Sequence, residues 1–391
     1  MPELPESSVD LYSDEILEQP YEFYRDLRNS GPVVYLARYG FYAVPRFADV
    51  RAVLTNWQDF SSAQGIAMNE PMNHALMGTV IATDPPEHKR LRRILEKPIA
   101  AKEVVALRQR MTRQAEGLAQ TLVRRGEFDV ATDLAQFLPL TVVSELVGLP
   151  EEGRQKMLSW AAAAFDGAVP LNVPRTEEAL RTMGEMVAYT TDATLAERVR
   201  PNGWAAGLYH AAQIGELTRD QASAMMQGYL TPSLDTTIFA TTNLIWLFAQ
   251  NPGQWEELRR NPELVPRAIN EAIRLESPIQ HFSRVATGDV SIEGAPIPAG
   301  ARVLVMYGSA NRDERHYDVP ERFDIHRSNN DHLGFGHANH MCAGMNLAKL
   351  ELTALVEALL PRVSRFELLR QKRSRNNLLR GFEQLQVRVH H

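Results

Sequence analysis

Cysteine occurs once in this chain, at Cys342, with His332, His337 and His340 shortly before it and the loop Gly334-Phe335-Gly336 among them. A lone cysteine has no partner for an internal disulfide, so its chemistry is that of a thiol or thiolate. Behind it runs Met345-Asn346-Leu347-Ala348-Lys349-Leu350-Glu351, a strongly helix-forming stretch. A helix N-terminus favours a thiolate through its dipole and free N–H groups, and thiolate is one of the few axial ligands that haem iron takes from a protein. The residues by themselves leave three chemistries open: an axial thiolate, a zinc site shared with the three histidines, and an inert buried thiol. A second group is Pro232-Ser233-Leu234-Asp235-Thr236. Proline inside a helix removes a backbone hydrogen bond and clashes with the preceding turn, and Ser and Thr bond back to nearby carbonyls. The pattern predicts a kink, and an acid beside an alcohol at such a break can relay protons into a dry site. His88 and Arg92 lie four apart on one helix face, and Glu271 and Arg274 form an i,i+3 pair of opposite charge.

The segment Phe335-Gly336-x-x-x-His340-x-Cys342-x-Gly344 resembles the haem-binding loop of the cytochrome P450 family, with five positions agreeing in type and spacing. Two positions depart from the family pattern: Ala338 and Ser233 each stand where glycine is usual. A left-handed backbone at Ala338 would cost about 1 kcal/mol. The resemblance runs from about Pro20 to Val389 and implies a mainly α fold, a large helical domain with small β-sheets, as a single domain over residues 1–391. It implies haem b with Cys342 as the metal ligand and Phe335 and Gly344 shaping the loop around it. By the same resemblance His88, Arg92, Arg284 and His340 hold the two propionates, which need charge-assisted partners when buried. Asp235 and Thr236 organise proton delivery, and Glu271 and Arg274 join Arg327 in a structural lock beneath the cysteine loop. The implied enzyme is a monooxygenase that inserts one atom of O2 into a C–H bond and reduces the other to water.

The implied substrate pocket draws on Met68, Phe165, Leu230, Leu234, Ile279, Phe282 and Leu379, with Ile66, Met72, Met77 and Leu378 beside them. This lining is apolar, with aromatic and methionine side chains, and suits a small hydrophobic ligand. No lysine or arginine lies between Phe60 and Ala82, which favours a neutral substrate, although His74 or a hydroxyl offers a polar contact. Tyr307-Gly308-Ser309-Ala310-Asn311-Arg312-Asp313 is similar to P450s that remove methyl groups from aromatic methoxy compounds, so O-demethylation of a neutral methoxy-aromatic is the leading reading. Terpenoid hydroxylation is the runner-up. A peroxide-driven haem enzyme and a non-catalytic haem- or zinc-binding protein stay open behind these two. No Gly-x-Gly-x-x-Gly dinucleotide fingerprint is present. Electrons are therefore expected from a ferredoxin and its reductase, docking near Arg90, Arg93 and Lys349 by complementary charge.

The elements that must position these groups are mostly helical. Ala, Leu, Glu and Arg recur at three and four from Pro85 to about Val199, predicting helix throughout that span. A capping box, Thr218-x-x-Gln221, predicts a long helix starting there and stopped by Asn251-Pro252-Gly253. Another is expected from Pro266 to Glu276. Val33–Leu36 with Gly40–Val44 predict a hairpin, and 290–292, 301–305 and 385–389 predict further strands. The net charge of −6 argues against nucleic-acid binding. The acidic, proline-bearing first residues look like neither signal peptide nor anchor. Thr236–Phe248, taken as the most apolar helical run, is too short to cross a bilayer, so a cytoplasmic location is expected.

Overall fold

The periodic Ala, Leu, Glu and Arg pattern folds into helices around a large apolar core, with small sheets at its edge and a second, smaller apolar cluster against the largest of them. The computed structural model describes residues 4–329 and 331–391. The site is framed by α1 (Glu87–Glu96), α2 (Ala101–Arg125), α3 (Glu151–Asp166), α4 (Thr176–Thr191), α5 (Arg219–Leu230), α6 (Asp235–Gln250), α7 (Val265–Leu275) and α8 (Met345–Leu359). Helix α8 packs along α2, α3 along α4, and α6 touches α3, α7 and α8. Almost all of α6 is buried, polar residues included. Its burial is tolerable because those residues are bonded: Thr241 Oγ1 donates to the Thr237 carbonyl (2.9 Å), and Asn243 Nδ2 donates to the Glu276 and Arg380 carbonyls (3.0 and 2.9 Å).

The expected long helix is two helices. The capping box forms, with Thr218 Oγ1 accepting from Gln221 N–H and Gln221 Oε1 from Thr218 N–H. Helical structure then stops at Leu230 and resumes at Asp235. Pro232 cannot donate, and the carbonyls its break would orphan are taken by hydroxyls. Ser233 Oγ donates to the Tyr229 carbonyl and Thr236 Oγ1 to that of Pro232 (2.9 Å). The stretch from 85 to 199 is also less uniform than its periodicity predicts. Gly126, at φ +77°, ends α2, and Glu127–Asp129 turns into a strand. Two wide-turn helical stretches follow, Val130–Ala135 and Pro139–Val143. Val130–Val147 has a mean hydropathy of 1.3 and is, by length and composition alone, apolar enough to cross a membrane, a run that the sequence reading did not single out. It is 56% buried, lying against α6 and the strand Phe382–His390, which accounts for its apolarity without a bilayer.

The largest sheet has six strands in the order Glu6–Ser7, Val34–Leu36, Phe41–Val44, Arg302–Val305, Phe282–Ala286, Phe60–Ser61. It contains the expected hairpin, Val34–Leu36 antiparallel to Phe41–Val44. Glu127–Asp129 pairs antiparallel with Phe382–His390, whose other edge carries Arg365–Arg373. The mainly α architecture with small sheets is therefore as the sequence indicates.

Candidate functional site

Two glycine-type turns place Cys342. Gly336, at φ +70°, brings its Cα so close to the His340 carbonyl that an added Cβ would sit 3.1 Å from that oxygen. Ala338 takes φ +53°, so the strain anticipated for a non-glycine residue is present. The loop closes when Cys342 N–H donates to the Phe335 carbonyl (2.7 Å), and α8 starts three residues later. Protein atoms crowd around Cys342, yet its side chain keeps accessible surface. Burial pushes the thiol pKa up; N–H groups of Gly344 and Met345 and the charge of Arg92 pull only partly against it. The helix terminus alone therefore does not make a thiolate here. A bound cation would supply the missing stabilisation.

Two imidazoles near this loop lack hydrogen-bond partners at their ring nitrogens. His88 is buried with neither ring nitrogen hydrogen-bonded, and its ring lies 4.3 Å from that of His340, whose Nε2 is also unpartnered. Burial, then the nearby charges of Arg284, His88 and Arg92, drive the His340 pKa down to about 2, and burial lowers that of His88. Arg284 is buried and donates to the Ser283 carbonyl (2.7 Å), with no carboxylate partner among the described residues. Arg92 is shared between Glu96 (2.7 Å) and the Asn339 carbonyl (2.9 Å). Buried unpaired donors and an uncompensated cation are costly unless an anion meets them. The two acidic arms of a haem suit this donor set, and the thiol suits its iron. A zinc site does not assemble: among the described residues no three His, Cys, Asp or Glu side chains converge on a common point.

At the helix break Asp235 is buried and makes no side-chain hydrogen bond among the described residues. Its pKa rises to about 7, through desolvation first and the charge of Asp166 second. Thr236 is half-buried beside it. Beneath the loop, Arg274 binds Glu271 in two bonds (2.8 and 2.9 Å), and Arg327 Nε donates to the same carboxylate (3.0 Å). Arg274 also donates to the Asn311 carbonyl (2.8 Å), while Asn311 Oδ1 accepts from Leu333 N–H (2.7 Å). The 307–313 segment that carries the aromatic-ether likeness is thus scaffold under the cysteine loop.

The expected pocket residues come from separate elements that the backbone draws together. Ser283 Oγ donates to the Ile66 carbonyl (2.9 Å), Met68 N–H donates to the Ala168 carbonyl just past α3 (2.8 Å), and Ile279 bridges Leu379. Leu230 and Leu234 flank the helix break, Phe165 lies near the end of α3, and Phe282 is half-buried 6.3 Å from the Tyr307 ring. Met68 is buried and its sulfur accepts the Tyr12 hydroxyl (2.9 Å); Met77 is exposed. Of the expected docking cations, Arg93 is exposed and without a carboxylate partner among the described residues. Arg90 is not free: Glu87, one turn away, holds its guanidinium in two bonds. Lys349 is half-buried over the Phe335 ring at 5.3 Å. A groove of about 430 Å³ edged by Lys89, Arg93 and Lys97 leads inward to His88 and Arg92.

Motif reading missed Glu276, buried under Arg312 (2.8 Å), Arg373 (3.1 Å) and Arg380 (2.9 Å).

The comparisons agree with this geometry. The cytochrome P450 family model matches residues 206–385. Cytochrome p450 CYP199A2 of Rhodopseudomonas palustris is 34% identical over 99% of this chain and 95% of its own. Linalool 8-monooxygenase of Pseudomonas putida is 30% identical over 97% of each. Among solved structures, P450BioI superposes with a TM-score of 0.87 at 26% identity, covering 97% of this chain and 100% of that one. CYP109E1 from Bacillus megaterium gives 0.86 at 27%, covering 96% and 98%. The chain therefore belongs to the cytochrome P450 family and is a monooxygenase that uses haem b and O2.

Proposed function

We propose that residues 1–391 form one haem-thiolate unit that oxidises a small, neutral, hydrophobic substrate, with demethylation of a methoxy-aromatic as the leading reaction. The observation that carries the site assignment is the pair of buried imidazoles with unpartnered nitrogens, His88 and His340, together with a buried Arg284 that has no carboxylate partner among the described residues, near an accessible Cys342. Bound there, haem supplies activation of O2 and insertion of one oxygen atom into a C–H bond. Cys342 holds the metal, and His88, Arg92, Arg284 and His340 fix the propionates. Phe335 and Gly344 shape the loop, and Glu271, Arg274 and Arg327 hold its base. Asp235, with its pKa near neutrality, takes and gives up a proton within the working pH range. Thr236 passes the hydrogen bond onward from the broken helix. The apolar residues around Ile279, Phe282 and Leu379 exclude water and favour a ligand without charge.

The absence of a cation from 60–82 supports a neutral aromatic ether over an aromatic acid. A terpenoid alcohol is the second reading, favoured by the likeness to linalool 8-monooxygenase. The test is a panel of substrate-induced spectral shifts on the haem-loaded protein, followed by product analysis. Shifts and formaldehyde release with neutral methoxybenzenes support the first reading. Shifts confined to monoterpenols replace it with the second. Electrons come from a separate acidic ferredoxin and its reductase, and the location is the cytoplasm; fractionation of the native host checks the latter.

A further inference from the structure

We infer that Lys349 is a positioning residue for Cys342 and acts through the ring of Phe335. This rests on Cys342 as the metal ligand, as proposed above. Two direct contacts join the lysine to the cysteine. The Lys349 ammonium stands 5.3 Å from the centre of the Phe335 ring, inside the range over which an aromatic face attracts a cation. The Phe335 carbonyl in turn accepts the Cys342 N–H at 2.7 Å. Helix α8 starts at Met345, and Lys349 lies one turn further on, so a rigid element carries the lysine back over the loop that precedes it.

The partners of Lys349 set it apart. Among the described residues six cations lie over aromatic rings, and five of them are arginines bound to Glu271 or Glu276. For those five the ring is a second partner. Lys349 has no carboxylate partner among the described residues, and the ring is what its ammonium meets. Burial lowers its pKa and no acid acts against that. A lysine commonly buries its stem and keeps its head in water. Here the head turns inward to Phe335, which makes it a poor docking charge and a good clamp.

The ring is where the loop needs such a hold. Before it, His332 Nδ1 accepts the Gly334 N–H (3.1 Å), and the His332 ring lies 5.6 Å from that of Phe335. After it, Gly336 turns the chain at φ +70°. Phe335 stands between two glycines, and its half-buried ring has no polar atom that could fix its orientation. The core packs against it from one side. With the cation added, the ring is held, and the Phe335 carbonyl stays aimed at the Cys342 N–H. With the ring free, that bond loosens and the sulfur leaves the metal more readily.

Haem-loaded Lys349→Met, which keeps the stem and loses the charge, tests this. Thermal melting first establishes that each variant is folded. In mild denaturant the thiolate-type haem–CO band of Lys349→Met should be lost about fivefold faster than that of the wild type. Lys349→Arg, which keeps a cation over the ring, should lose it at the wild-type rate. In a Phe335→Leu background Lys349→Met should no longer change the rate, because the ring it acts through is gone. A wild-type rate in Lys349→Met, or an undiminished effect in the Phe335→Leu background, overturns the inference and leaves the ligand assignment intact. So does a wild-type rate accompanied by a flatter salt dependence of reduction by an acidic ferredoxin, the mark of a docking charge. A wild-type protein without the thiolate-type band overturns both.

Discussion

Ala338 shows how a single departure from a family pattern becomes a stability statement. At φ +53° it carries a penalty glycine would not, so Ala338→Gly is expected to raise unfolding free energy by about 1 kcal/mol, read by denaturant titration. The position of the haem–CO band should not change. Asp235 makes the opposite kind of statement. Its pKa rises on folding from 3.8 to about 7, so its share of stability is complete below about pH 4 and is lost as pH rises through about 7. The loss is on the order of 4 kcal/mol at most. Asp235→Asn should flatten that slope, and stability curves at pH 5 and pH 8 compare the two. At this scale the Cys342 neighbourhood was legible because loop, ligand and helix are contiguous in sequence. Glu276 was not, because the three arginines that hold it come from segments far apart in the sequence, and no local spacing records them. The pull of the helix terminus on the thiol is visible in sequence, but the burial that opposes it is not.

Elements explain why the motifs are where they are. The break between α5 and α6 is legible from Pro232, and hydroxyls on both sides repair it, which is why the polar run can sit in the core. The extent of the break was not legible, since propensity on either side favours helix and only packing decides where it resumes. Region 127–143 misled for a related reason. Its apolar periodicity is helical, but Gly126 and the edge of the Phe382–His390 strand capture its first residues. The helix α7 offers the firmest test at this level. Its Glu271 serves Arg274, Arg327 and the Asp324 N–H together while almost wholly buried. Removing one charge strands the others, so Glu271→Gln should cost about 3–5 kcal/mol. Denaturant unfolding measures it, and the fraction of protein retaining haem should fall in parallel.

Across the whole molecule, charge is distributed against its own sum. The chain carries a net −6, yet the groove beside α1 is edged by Lys89, Arg93 and Lys97. Such a field speeds encounter with an acidic partner and fades with salt. Arg93→Glu is expected to lower the second-order rate of reduction by an acidic ferredoxin about tenfold at low ionic strength, and much less in high salt. Stopped-flow reduction across a salt series reads both. Glu276 works at the same scale. Arg380 binds it and also donates to the Leu17 and Glu18 carbonyls (3.1 Å each), while Arg312 and Arg373 bind it from two further segments. Residues 17–18 and 373–380, more than three hundred positions apart, therefore open as one cooperative unit. Their amide hydrogens should exchange with a common opening free energy. Burial works against ionisation of Glu276, but its arginines hold the pKa near 2. The shared protection is thus complete above about pH 4.5 and is lost for both stretches together as pH falls towards 2.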